Sequence, residues 1–235
     1  MPLPTLLFVR LSRFALGVGT CASFLPALRI IVDRKRHFEV FVGIFQLFAA
    51  VMYCAGDALG WRILLSTDDW HVMSDVLTST YICLLCVHLM GLRSENTMVV
   101  LRYLAFAFSW VAKLADGWGS IVFEALVYLA FLLPPLFLIF QAFLTGPLGP
   151  LFPSTPPPRV RAFIERQLAY DRAVAHRALG CAAAGLFFFG IEELVGDMDI
   201  RVFNASAHCG FGGAAFFLWQ FLPCYDKTDD IPVFR

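Results

Sequence analysis

Residues 38–59, FEVFVGIFQLFAAVMYCAGDAL, form an apolar run long enough to cross a lipid bilayer, which takes about 20 residues in a helix. The whole chain shares this character, because 59% of its 235 residues are hydrophobic and only 15% are charged. Soluble domains carry about 25% charged residues. The sequence therefore predicts an integral membrane protein, and its formal net charge of zero argues against nucleic acid as a partner.

Seven apolar segments of this length predict an all-α fold, a polytopic seven-transmembrane-helix bundle that forms one domain over residues 1–235. The predicted spans are 12–32, 38–59, 71–92, 98–115, 119–143, 173–195 and 203–224. Pro134 and Pro135 predict a kink in the fifth span. The connection that follows it contains a proline-rich loop, 145–158, and a stretch, 159–172, typical of an interfacial amphipathic helix.

Basic residues collect on one side of the predicted bundle. With seven spans, the connections 1–2, 3–4 and 5–6 lie on the same side of the membrane as the C-terminus. That side holds Arg29, Arg34, Lys35, Arg36, Arg93, Arg102, Arg159, Arg161, Arg166, Arg172, Arg177, Lys227 and Arg235. The opposite side holds Arg10, Arg13, Arg62, Lys113 and Arg201. Because cytoplasmic connections are enriched in Lys and Arg, we expect a cytosolic C-terminus and a non-cytosolic N-terminus.

The organelle is left open by the sequence. The first 32 residues contain no acidic residue but include Arg10 and Arg13, which is compatible both with mitochondrial import and with an ordinary first span. In the mitochondrial inner membrane the C-terminal side would be the matrix. The endomembrane system and the plasma membrane are the alternatives.

Four polar or thiol side chains are predicted to lie in one layer near the non-cytosolic side of the bundle. Cys54 is near the end of the second span, Asp75 near the start of the third, and Asn204 and His208 near the start of the seventh. A thiolate, a carboxylate and an imidazole can bind zinc, with water as the fourth ligand and the nucleophile of a hydrolase. Alternatively, Asp75, Asn204 and His208 hydrogen-bond one another and hold three helices together.

The other histidines and cysteines favour packing or interfacial roles. His37, His71 and His176 lie near predicted membrane ends, and His88 lies inside the third span. The seven cysteines have no framework spacing, and a single CxxC formed by Cys83 and Cys86 within a span is interpreted as helix packing.

Short stretches along nearly the whole chain resemble the CREST superfamily of membrane proteins, and most closely its myomaker and post-GPI-attachment lipase-like members. Alkaline ceramidases and adiponectin-receptor-like proteins belong to the same superfamily. The similar stretches are SFLPALRIIVDRKRHFEVFVGIFQLF and YCAGD in the first two spans, VMSDVLTS, LADGWG, IEELVGDMD and NASAHC. The resemblance implies seven membrane helices and, in most members, a zinc site.

The resemblance also places the zinc site on specific residues, and this chain departs from the pattern at three of them. The serine of the second helix is replaced by Ala50 and the histidine that follows it by Cys54, whereas the aspartate of the third helix is kept as Asp75. In the HxxxH of the seventh helix, Asn204 replaces the first histidine and His208 keeps the second. A thiol and an amide in place of two imidazoles predict weakened zinc binding.

Two functions follow from these residues. The first is a non-catalytic CREST-like protein that serves as a structural or accessory subunit of a larger membrane assembly, with membrane lipids and other membrane subunits as partners. The alternative is a zinc-dependent membrane lipid hydrolase, ceramidase-like or phospholipase-like, in which Cys54, Asp75 and His208 bind zinc and Asp75 is catalytic. A membrane-remodelling role, by analogy with myomaker, is a third hypothesis.

Overall fold

The computed structural model describes residues 3–90, 92, 94–114, 126–134, 172–195 and 202–220, and their architecture is all-helical as predicted. Seven helices have bounds in this part of the chain: α1 (Leu3–Ala22), α2 (Leu25–Asp33), α3 (His37–Leu59), α4 (Thr67–Leu89), α5 (Glu95–Leu114), α6 (Arg172–Val195) and α7 (Val202–Gln220). Residues 126–134 are helical as well.

Five helical stretches among the described residues are long and apolar enough to cross a membrane. They are Leu7–Asp33, His37–Leu59, Thr67–Leu89, Glu95–Leu114 and Ala173–Glu192. The predicted bundle had seven spans. The fifth of these, 119–143, is described only over 126–134, and α7 is not among the five stretches that are long and apolar enough. The structure thus supports a helical membrane protein, while the full seven-span bundle stays a prediction.

The first predicted span is interrupted, which corrects the expectation of one continuous helix over 12–32. α1 ends at Ala22, and α2 starts at Leu25 with Pro26 in its first turn. The ring of Pro26 lacks an N–H and would clash with the carbonyl of Ala22 in a continuous helix. The hydroxyl of Ser23 at the break donates to the carbonyl oxygen of Thr20 at 2.6 Å.

α4 is the central helix of the described bundle, and it begins at a capping box. The hydroxyl of Ser66 accepts a hydrogen bond from the backbone N–H of Asp69, whose carboxylate accepts one from the N–H of Ser66. Further along, α4 contributes much of a buried apolar cluster that also draws on α2, α3 and α7. The largest fully buried side chain in that cluster is Trp219, near the end of α7.

α6 and α7 pack with their backbones in close contact at two glycines. A Cβ added to Gly210 would lie 2.7 Å from the backbone N and Cα of Gly185. Small residues allow such approach between membrane helices. α7 also packs against α1 and α2, so it joins α6 to the first helices of the chain.

Three predictions about the fifth span and the connection after it fall wholly or in part outside the described residues. They are the kink at Pro134 and Pro135, the proline-rich loop 145–158 and the interfacial helix 159–172.

Candidate functional site

Cys54, the first candidate metal ligand, faces α1. Its Sγ lies beside Gly17, where an added Cβ would be only 2.6 Å from the sulfur. Gly17 lies one turn before Cys21 on α1, and Cys54 is the side chain that most strongly influences the Cys21 thiol. Ala50, which stands one turn before Cys54, is buried within the bundle. The thiol of Cys54 is therefore part of the α1–α3 interface.

Asp75, the second candidate ligand, lies beside a lysine and a histidine. Its Oδ2 lies 3.4 Å from Nζ of Lys113 on α5 and 3.7 Å from Nδ1 of His71, one turn earlier on α4. The side chain is 38% exposed. The carboxylate thus joins α4 to α5, and lysine is a charge partner for it rather than a fellow metal ligand.

His208, the third candidate ligand, is exposed and hydrogen-bonded within its own helix. Its Nδ1–H donates to the backbone carbonyl oxygen of Asn204 at 2.9 Å. This bond fixes the imidazole against α7 and leaves Nε2 as the acceptor nitrogen. The amide side chain of Asn204 is half-buried on the preceding turn.

The structure does not bring the three candidate ligands into one coordination sphere. Among the described residues, which include Cys54, Asp75 and His208, no three His, Cys, Asp or Glu side chains are grouped so that they could hold a metal ion. Asp75 instead contacts Lys113 and His71, and His208 contacts the backbone of Asn204. The zinc site and the three-helix hydrogen-bond network both stay predictions.

A buried ionic cluster at the opposite end of these helices was missed in the sequence. Glu39 in the first turn of α3, His88 in the last turn of α4 and Arg102 on α5 meet there. The Nε2 of His88 lies 2.7 Å from Oε1 of Glu39, and both side chains are only 1% exposed. The Nε of Arg102 lies 3.1 Å from the same carboxylate oxygen. We refer to Glu39, His88 and Arg102 as the ionic cluster.

The electrostatics of the ionic cluster are balanced by groups around it. Arg102 is 12% exposed, and its Nη2 is 3.6 Å from Oε1 of Glu95. Glu95 is exposed and lies about two turns earlier on α5. Arg102 Nε makes no hydrogen bond to Glu39 despite the short distance, and its Nη2 is too far from Glu95 for one. Both contacts are therefore ion pairs rather than hydrogen bonds. With a neutral His88, the carboxylate of Glu39 and the guanidinium of Arg102 sum to zero charge, which is the least costly state at membrane depth.

Aromatic and basic residues close the ionic cluster from α7 and α2. The ring of Trp219 lies 5.6 Å from that of His88 and 5.8 Å from that of Tyr81. Beside them, Arg34 after α2 donates from Nη2 to the carbonyl oxygen of Gln220, the last residue of α7, at 2.9 Å. A guanidinium at a helix C-terminus is favourable because carbonyl groups there carry partial negative charge. Five helices therefore converge at this end of the bundle.

A signal for the ionic cluster was present in the sequence. Glu39, His88 and Arg102 all fall near the ends of predicted spans that share the basic side of the membrane. Ionisable groups at membrane depth pair with one another and face the bundle interior. These three residues lie at similar depth on three sequential spans, and that similarity predicts their contact. From the sequence, His88 was instead expected to have a packing or interfacial role.

A groove of about 490 Å³ lies between the end of α4, α5 and residues 126–134. It is lined by Met90, Leu101, Leu104, Phe108, Leu126, Val127, Ala130, Phe131 and Pro134. Cys83 and Cys86 of the CxxC are buried in the apolar cluster next to it, as the packing interpretation of that motif requires. The described residues that line the groove are all apolar, so they offer contacts to an apolar ligand.

Together, the fold and these sites define a helical membrane protein whose interior charges are used in contacts between helices. The chain belongs to a family of proteins of unknown function, DUF3522, whose model matches residues 10–208. The match runs from α1 to the first turns of α7 and includes Cys54, Asp75, His208 and the ionic cluster. A comparison with curated proteins finds no match.

Proposed function

We propose that this protein is a CREST-like integral membrane protein that acts without catalysis, as a structural or accessory subunit of a larger membrane assembly. The observation that carries the proposal is that buried and half-buried polar side chains contact one another between helices. At one end of the bundle α3, α4 and α5 are joined by Glu39, His88 and Arg102. At the other end α4 and α5 are joined by Asp75 and Lys113. Two of the residues that the hydrolase alternative would use have other contacts, since Asp75 pairs with Lys113 and His208 with the backbone of its own helix.

The surface of α6 supports a role in binding other membrane subunits. Within the described residues this helix packs chiefly against α7. Its remaining faces expose Leu179, Leu186, Phe187 and Phe189. Gly180 and Gly190 lie on the same helix with no described atom within 4 Å of an added Cβ. Large apolar side chains beside small ones suit contact with another membrane helix as well as with lipid.

Membrane lipids are the second proposed class of partner. The apolar groove beside α5 has a volume within the usual range for ligand pockets, roughly 300–1,000 Å³. The C-terminus is proposed to be cytosolic, or to lie in the matrix if the membrane is the mitochondrial inner membrane. Arg34, Lys35 and Arg36 at the α2–α3 turn support this side.

Co-purification tests the assembly role directly. We expect the full chain, solubilised in a mild detergent from its native membrane, to elute with other membrane subunits in a fixed ratio and well above its own mass of 26.3 kDa. Replacing Gly180 by leucine should reduce that recovery several-fold without unfolding the chain, because the residue faces outward. Elution of the wild-type protein alone with lipid would contradict the proposal.

Metal analysis separates the proposed function from the hydrolase alternative. We expect the purified protein to contain much less than one zinc per chain, and His208→Ala to leave the metal content unchanged. His176→Ala, at another exposed histidine on a neighbouring helix, is the matched control. The hydrolase would instead be favoured by one zinc per chain that is lost in His208→Ala and kept in His176→Ala.

A further inference from the structure

Cys21 and Cys54 lie near each other in the interface between α1 and α3. Two observations place them there. Cys54 Sγ would lie 2.6 Å from a Cβ added to Gly17, and Gly17 is one turn before Cys21 on the same face of α1. Cys54 is also the side chain that most strongly influences the thiol of Cys21. Neither sulfur is part of a disulfide in this structure.

The two cysteines differ in access, as the two members of a reactive thiol pair commonly do. Cys54 is half-buried, whereas Cys21 is only 8% exposed. A reactive thiol is typically accessible and placed beside a second thiol that resolves its oxidised form. Cys83 and Cys86, three residues apart on one helix, are 1% and 4% exposed and lack such an accessible member.

We propose that Cys21 and Cys54 form an oxidation site that a peroxide converts into a disulfide joining α1 to α3. The Cys54 sulfur attacks one peroxide oxygen, the O–O bond breaks, and a sulfenic acid and one water form. The Cys21 sulfur then attacks the Cys54 sulfur, the S–O bond breaks, and the leaving hydroxide takes the thiol proton as a second water. Two thiols lose two electrons, and one peroxide becomes two waters.

The glycine at position 17 is what makes this pairing geometrically available. A side chain there would occupy the space that Cys54 Sγ now fills, and would push the sulfur away from α1. The oxidised form links the first helix of the bundle to α3 across a covalent loop that contains the α1–α2 break. The oxidation site does not depend on the proposed subunit role, because it rests on the α1–α3 contact alone.

Mass spectrometry of the oxidised full chain tests the proposal. We expect limiting hydrogen peroxide to lower the mass of the detergent-solubilised protein by about 2 Da, with loss of two thiols and one linked peptide pair, Cys21 to Cys54. Cys21→Ser should prevent the link and let a sulfenic acid accumulate at Cys54, where dimedone traps it several-fold more than in the wild type. Cys83→Ser is the matched control and should keep the link.

Three results would overturn the proposal. They are the absence of the Cys21–Cys54 peptide pair from oxidised wild-type protein, equal dimedone trapping in wild type and Cys21→Ser, and a link that joins Cys54 to a second chain. The first of these is read on the wild type and so does not depend on the folding of any variant.

Discussion

Replacing Arg102 by methionine is expected to lower the free energy of unfolding by about 3–5 kcal/mol, because it removes one partner of a buried ion pair. Glu39 and His88 would remain 1% exposed, with the carboxylate no longer compensated by the guanidinium. The loss is measurable by reversible unfolding of the purified chain in mixed micelles. Val100→Met is the matched control, because Val100 lies on the same helix with 55% of its surface exposed.

The triple variant Glu39→Leu, His88→Leu and Arg102→Met gives the sharper form of this test. Replacing a buried ionic group by apolar side chains is often neutral or stabilising, whereas breaking it is costly. We expect the triple variant to recover most of the stability lost in Arg102→Met. Equal stability of Arg102→Met and Val100→Met would show that the ionic cluster contributes little.

Replacing Gly210 by leucine is expected to separate α6 from α7 and to destabilise the bundle by roughly 3 kcal/mol, at the upper end for overpacking. Its Cβ would lie 2.7 Å from backbone atoms of Gly185 and 2.9 Å from the carbonyl oxygen of Cys181, and backbone cannot move aside as a side chain can. Proteolysis of the α6–α7 connection and unfolding in mixed micelles both report the separation.

Gly190→Leu is the matched control for this substitution. It introduces the same side chain on α6 at a glycine with no described atom within 4 Å of the added Cβ. Since glycine is about 1 kcal/mol less favourable than the best helix formers, the control should be neutral or slightly stabilising. A similar loss in both variants would mean that the close approach of α6 and α7 does not limit stability.

Hydropathy was sufficient to locate the helices but not to orient their side chains. The prediction of 38–59 matches α3, and 173–195 matches α6, because length and apolarity alone define a spanning helix. The interruption at Ser23 depends instead on one residue, Pro26, which disrupts the preceding helical turn. This local effect of proline can be read from the sequence.

The candidate site was harder to predict because depth in the membrane does not determine direction. Cys54, Asp75 and His208 were placed in one layer, yet their contacts run to α1, to α5 and back along α7. Rotation of each helix about its own axis decides which side chains meet, and it is set by packing of the whole bundle. The ionic cluster was within reach of the same depth argument, because its members lie near the ends of three sequential spans on one side of the membrane.

Trp219 has a consequence for how this bundle is completed during synthesis. It is the largest fully buried side chain among the described residues, and it comes from the last described helix, yet it packs among residues of α2, α3 and α4. Until α7 has been synthesised and inserted, the earlier helices lack the indole that packs against His88. The early helices should therefore stay loosely associated, and available to membrane chaperones, until that one indole arrives.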